Sequence, residues 1–431
     1  LQRIILKGGR VLDPATGRDG PADVLIEYGR VAAVEPELAV DDAEVFDVAG
    51  RWVVPAFVDL HTHLREPGQE YKEDIASGGR SAVAGGFGTI ACMANTEPVN
   101  DDPSVTDYIL DRARQDSPAR VHPIAAATKG LEGQVMTEMV ALVDAGAVAF
   151  SDDGKTIMDS GVARRVMEYS QMVRVPIIVH AEDRTLVRDG VVNEGPVSTR
   201  LGLPGNPTLA EAVHVSRDIQ LAELTGAHVH IAHVSTGAAV DLVRAARERG
   251  IHVTAEVTPH HLALTDEATL GFDTNAKMAP PLRGRADMEA CRAGLAEGVI
   301  DCIATDHAPH AMHEKEVDFR EAPNGIIGFE TALPVVLGLV RSGELAPLEL
   351  VRRLTEAPAR ILGRPCGTLA VGAAADVTVL DPERRWVYDP TKGFSKSQNS
   401  PWAGQEMIGR VTLTFVDGRL VYDVERGVLA P

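Results

Sequence analysis

Cysteine is scarce in this 431-residue chain: Cys92, Cys291, Cys302 and Cys366 are scattered, with no paired spacing. That excludes a disulfide framework and a cysteine-built zinc site. Basic charge is the second shortage. Lys and Arg number 42 against 62 Asp and Glu, for a formal net charge of −20. Nucleic acid and anionic membranes both demand a basic face, so neither is the expected partner. No apolar run approaches the length of a membrane span, and the first residues form no basic-then-apolar leader. Hydrophobic residues at 45% and charged residues at 24% give the balance of a globular protein. A cytoplasmic enzyme acting on a small molecule is the expected class. An anionic substrate would have to be drawn in by local positive charge against the overall field.

What is present falls into two textures. Near the start, Ile4-Ile5-Leu6, Gly8-Gly9, Arg10–Asp13 and the runs on either side of Tyr28-Gly29 read as short strands punctuated by glycine. The far end repeats this, with runs at 376–380, 411–416 and 419–421 around Asp417-Gly418, a strong hairpin signal. Both ends are expected to build one small β-sandwich, residues 1–53 with 365–431. Separate caps are the alternative. Residues 54–364 alternate strand-length apolar runs (56–60, 89–94, 121–127, 148–150, 177–179, 229–232, 252–257, 300–304) with helical patterns that include 136–145, 162–172, 209–225 and 238–249. Eight such units predict a (β/α)8 TIM-like barrel, α/β in class, with an open α/β sheet as the alternative.

Polar residues that can bind metal follow these strands, where a barrel places its active site. His61-Thr62-His63 follows the first; in extended backbone, i and i+2 share a face. Asp152-Asp153 follows the fourth, His180 the fifth, His233 the sixth and Asp306 the eighth. A lone histidine at a strand end is usually structural, but four imidazoles and two acids at one end have no structural need to be there. They are the ligand types of Zn²⁺, Mn²⁺ or Fe²⁺, and their number suggests a pair of metals. His122, His214, His228, His230 and His252 read as structural, and His260 and His261 as supporting or turn residues.

The stretch Val54-Pro55-Ala56-Phe57-Val58-Asp59-Leu60-His61-Thr62-His63 resembles the opening signature of the cyclic amidohydrolases, within the metal-dependent hydrolase superfamily. Leu64-Arg65-Glu66-Pro67-Gly68, Met93–Thr96, Phe150–Gly154 and Ala304–His310 narrow the resemblance to dihydroorotases of the class I type. It covers nearly the whole chain. The resemblance implies two Zn²⁺ per chain: one held by His61, His63, Asp153 and Asp306, the other by His180 and His233, with Asp153 and a hydroxide bridging. It assigns substrate contacts to the His63-Leu64-Arg65 stretch, Asn95, His310, Asn324 and Gly325. Lys155 is not expected to replace the aspartate bridge. One departure stands out. The family pattern Lys-x-Asn-Pro-Pro-Leu-Arg reads Lys277-Met278-Ala279-Pro280-Pro281-Leu282-Arg283 here. Ala279 offers only its backbone, and Asn275 is the nearby candidate to replace the lost amide.

The implied activity is dihydroorotase: reversible cyclisation of N-carbamoyl-L-aspartate to L-dihydroorotate in pyrimidine biosynthesis. The hydroxide would attack the ring carbonyl, with Asp306 as general base and then acid. Arg65 and the two cations would answer the charge problem at short range, since surface charge is screened beyond about 8 Å. The sequence does not set the assembly; a homo-oligomer and a complex with aspartate transcarbamoylase are the candidates. The charged segment 313–320 is expected to be a mobile loop over the mouth. Two rivals remain open: a hydantoinase or allantoinase, and an inactive structural partner of aspartate transcarbamoylase.

Overall fold

A computed structural model of the chain describes residues 3–429. Residues 1, 2, 430 and 431, part of the expected end domain, lie outside the described residues. The fold is mixed α/β. Its apolar runs become strands buried on both faces, as parallel strands under helices must be. In chain order these are β1 (Phe57–Thr62), β2 (Phe87–Cys92), β3 (Arg120–Pro123), β4 (Phe150–Ser151), β5 (Ile177–Val179), β6 (Val229–Ile231), β7 (Val253–Val257) and β8 (Cys302–Ile303). Strands β1–β3 form one parallel arc and β4–β8 a second, each in sequential order. Parallel bridges Ala125↔Phe150 and Thr62↔His307 join the arcs at both seams. Ala125 lies just past β3 and His307 just past β8, so each seam is bridged by a single residue pair.

Helices Ile75–Ala84, Pro103–Asp116, Met139–Ala145, Ser160–Val173, Thr208–Thr225, Gly237–Glu248 and Arg285–Ala296 connect successive strands. Their starts are written locally. Asp74, Asp102, Asp159 and Thr236 each accept a backbone N–H of the first turn. The third strand is shorter than its apolar run predicts. Beyond it, the Ala127 and Thr128 N–H groups turn aside to donate to Asp152 Oδ1, each at 2.9 Å.

Both chain ends enter one nine-stranded sheet. Its junction is Trp52–Pro55, parallel to Arg3–Asp13 on one side and antiparallel to Val377–Val387 on the other. The two Xaa-Gly turns are left-handed at both positions, with φ 54° and 75° at Tyr28-Gly29 and 49° and 72° at Asp417-Gly418. These turns also meet: a Cβ on Gly418 would lie 2.7 Å from the Gly29 Cα. Glycine is required twice over, once for conformation and once for the approach of the opposite chain end.

Candidate metal centre and active site

The polar residues that follow the strands converge. His61 Nε2 lies 3.5 Å from Asp153 Oδ1 and 3.5 Å from Asp306 Oδ1. His63 Nε2 is 3.1 Å from Asp306 Oδ1 and 3.5 Å from Asp153 Oδ2. His180 Nδ1 and His233 Nε2 each stand 3.6 Å from Asp153 Oδ1, and 2.8 Å from one another. Asp153 thus sits between the His61–His63 side and the His180–His233 side, one carboxylate facing both. Two triads, His61–His63–Asp306 and His61–Asp153–His233, are compact enough to hold a metal ion. The residues fit such an ion on a second ground. His61 Nε2 and Asp153 Oδ1 are buried without a hydrogen-bond partner among the described residues, a costly arrangement unless a ligand completes it.

Backbone strain is concentrated here too. Arg65, His233 and Asp306 all take positive φ, at 64°, 34° and 47°, a conformation L side chains avoid and functional sites tolerate.

Beside the cluster opens a cleft of about 290 Å³ lined by Arg65, Asn95, Ala279, His310, Asn324 and Gly325, among others. Arg65 is buried. Its Nε donates to the Pro309 carbonyl at 3.2 Å, and its outer nitrogen lies 3.4 Å from His310 Nε2. His310 Nε2 donates to the Asn324 carbonyl at 2.8 Å. Burial, then Arg65, pushes the His310 ring down to about 2. Asn95 Oδ1 accepts from His63 Nδ1 at 2.9 Å. At Gly325 any Cβ would lie 2.6 Å from that of Ala308, at φ 130°, so glycine is needed for the chain to pass the cleft wall.

Residues 50–239 match the dihydro-orotase-like family model, and residues 222–422 match the amidohydrolase family model. The dihydroorotase of Anaeromyxobacter dehalogenans strain 2CP-C is 53% identical over 423 residues, 97% of this chain and 98% of its own length. That of Syntrophus aciditrophicus is 51% identical, covering 97% and 99%. The chain belongs to the dihydroorotase family. Family members are hydrolases of cyclic amide bonds, and the wider amidohydrolase family is metal-dependent. Among solved structures, the L-hydantoinase of Arthrobacter aurescens superposes with a TM-score of 0.89 at 25% identity, covering 100% of this chain and 98% of its own. A dihydropyrimidinase from Brevibacillus agri shares the fold, with a TM-score of 0.85 at 23% identity over 97% of this chain and 95% of its own.

Several residues of the site escaped the strand-end pattern. Glu256 is the main one. Its Oε1 accepts from His61 Nδ1 at 2.6 Å and its Oε2 from His230 Nε2 at 3.2 Å, which fixes the ring so that Nε2 faces the cluster. His230, taken as structural, therefore acts on the site through Glu256. Burial opposes charge on His61, but Glu256, Asp153 and Asp306 outweigh it and raise the ring well above the imidazole range. The only signal in the sequence is an acid inside an apolar strand. Glu182, two residues after His180, also lines the cleft; its Oε2 is 3.6 Å from His180 Nε2, and Asn206 donates to its Oε1 at 2.7 Å. Asp152 is structural, since it accepts the Ala127 and Thr128 N–H groups. Asp59 accepts from the backbone of His61 at 3.1 Å and of Thr305 at 3.2 Å, tying the ends of β1 and β8 together.

Three expectations need correction. Leu64 sits in the apolar core against Gly78. Its side chain is buried away from the cleft that His63 and Arg65 line. Asn275 does not line the cleft; it belongs to the turn Thr274–Ala276, so it does not stand in for the missing amide at Ala279. Segment 313–320 is not free of anchors. Lys315 is buried and donates to the Pro323 carbonyl at 2.8 Å, Glu314 pairs with Lys72 at 3.0 Å, and Tyr71 donates to Glu314 at 3.1 Å.

Proposed function

We propose that this chain interconverts N-carbamoyl-L-aspartate and L-dihydroorotate. One observation carries the reading: a cluster of four imidazoles and two carboxylates shares a cleft with a buried guanidinium that forms no ion pair with a carboxylate among the described residues. Arg65 donates to a carbonyl and approaches a neutral ring. A substrate carboxylate would complete it, and a planar fork matches that group. Hydantoin and allantoin lack such a carboxylate.

His61, His63, Asp153 and Asp306 would hold one divalent cation, and His180 and His233, sharing Asp153, a second; we read both as zinc. Bound there, such ions polarise a carbonyl and bring the pKa of water to about 7. The chain's own groups do the rest. Arg65, Asn95 and His310 orient the substrate carboxylate, and the Asn324-Gly325 backbone meets the ring amide. Burial opposes ionisation of Asp306, but His61 and His63 outweigh it and hold the carboxylate well below its usual range. It is therefore ionised, as a proton acceptor must be. Asp306 takes the proton of the attacking water and delivers it to the departing ring nitrogen; ring closure runs the same transfers in reverse. Glu256 positions His61. We further propose that residues 54–364 form a closed (β/α)8 barrel and that 1–53 with 365–431 form a β-sandwich.

The test is a side-by-side assay of dihydroorotate, hydantoin and allantoin. Hydrolysis of dihydroorotate at a kcat/KM at least tenfold above the others is expected. Preference for either uncharged ring would contradict the reading.

A further inference from the structure

At the opposite end of the parallel strands lies a second cleft, about 570 Å³ in volume. Its wall includes Val148, Pro176, His228 and His252, which stand at or just before the starts of β4, β5, β6 and β7. The catalytic residues follow the other ends of the same strands, so this cleft does not belong to the mouth.

Its chemistry runs against the rest of the molecule. Arg174, Arg360 and Arg364 line it, and no Asp or Glu does among the described residues, on a chain with a net charge of −20. Arg174 and Arg360 are exposed and make no side-chain hydrogen bond or ion pair among the described residues. Arg364 spends only its Nε, on the Leu362 carbonyl at 3.2 Å. Beside them His228 and His252 stack at 4.0 Å, 13° from parallel. Burial, then His252, holds the His228 ring neutral, near 3. The His228 Nε2 pairs with Thr254 Oγ1 at 2.8 Å, while the exposed His252 leaves an imidazole at the cleft edge. Three guanidiniums line this cleft with no acid beside them among the described residues. An anion with several oxygens accepts their forked donors, and the volume is that of a small-molecule site.

We propose that this floor cleft binds a small phosphate-bearing anion of nucleotide size, with its phosphates on the three arginines. The assignment does not depend on the reaction at the mouth.

The test is calorimetric titration of the intact, metal-loaded protein with inorganic phosphate, AMP and ATP, magnesium in excess. Saturable binding of one molecule per chain is expected. Arg360→Gln and Arg174→Asn should each weaken it at least tenfold without changing thermal stability or dihydroorotate turnover; Asn tolerates the left-handed φ of 55° at position 174. AMP or ATP binding above phosphate would support a nucleoside held at the imidazole edge, and equal affinities would overturn the nucleotide-sized ligand in favour of phosphate alone. Absence of binding by all three up to about 1 mM would overturn the proposal. So would binding unchanged in both variants, or competition by dihydroorotate. A change in oligomeric mass in the variants, without nucleotide binding, would overturn it in favour of a protein contact.

Discussion

The mouth and the floor of the same eight strands are opposites in charge. At the mouth, carboxylates and imidazoles crowd within 3.6 Å of one another and leave His61 Nε2 and Asp153 Oδ1 without partners. At the floor, three arginines share a cleft with no acid among the described residues. The first arrangement suits cations and the second an anion. A net charge of −20 predicts neither, because electrostatics at a site is decided by the handful of groups that share its walls.

A second contrast lies among the buried acids. Asp153 and Asp306 face imidazole rings. Burial raises the Asp153 carboxylate, but His61, His180 and His233 outweigh that and hold it well below its usual range. Asp218, equally buried on helix Thr208–Thr225, faces one guanidinium, Arg217, at 2.7 Å and the His214 ring at 3.7 Å, a ring that burial pushes down to about 3; burial wins there and lifts Asp218 to about 6. Burial alone does not set the sign. The neighbours do.

The contrast is broken most severely by Asp306→Asn. Removing the proton-carrying oxygen should cut turnover about 10²–10⁴-fold in both directions while elemental analysis still finds metal, and ATP binding at the floor should be unchanged. Arg65→Met removes the cation that belongs to the mouth. Loss of charged hydrogen bonds of about 1.5–3 kcal/mol should raise KM roughly 10- to 100-fold, with a smaller effect on kcat, in steady-state kinetics on dihydroorotate. Glu256→Gln should weaken metal retention about 10–100-fold in chelator competition, since it loosens the ring that His61 presents.

The smallest effect concerns Asp218. Its folded pKa of about 6 exceeds the unfolded value near 4, so the folded state binds this proton more tightly. The stabilisation it gives is full below pH 4 and is lost as pH rises to 6, by about 3 kcal/mol at most. Asp218→Asn cannot lose it. Melting curves should therefore show the variant gaining on the parent between pH 4 and 6; a difference independent of pH would contradict the assignment.

The parts legible in the sequence share a cause: each is written in local pattern. Apolar runs with period-2 or helical spacing located all eight strands, and Asp417-Gly418 located its hairpin because only a left-handed pair closes such a turn. His61, His63, Asp153, His180, His233 and Asp306 stood out because strand ends point one way. Glu256 did not, since its value comes from two rings reached across neighbouring strands. Leu64 was misassigned because proximity in the chain to His63 and Arg65 says nothing about face. The anchoring of 313–320 rests on partners such as Tyr71 and Lys72, some 240 positions away in the sequence, and the floor cleft assembles residues from 143 to 364; neither leaves a local trace.

The most direct test is elemental analysis of the purified protein paired with dihydroorotate turnover, before and after chelation. The account predicts about two zinc ions per chain, metal and activity lost together on chelation, and both restored when zinc returns. Full turnover by protein holding no stoichiometric divalent metal would contradict it.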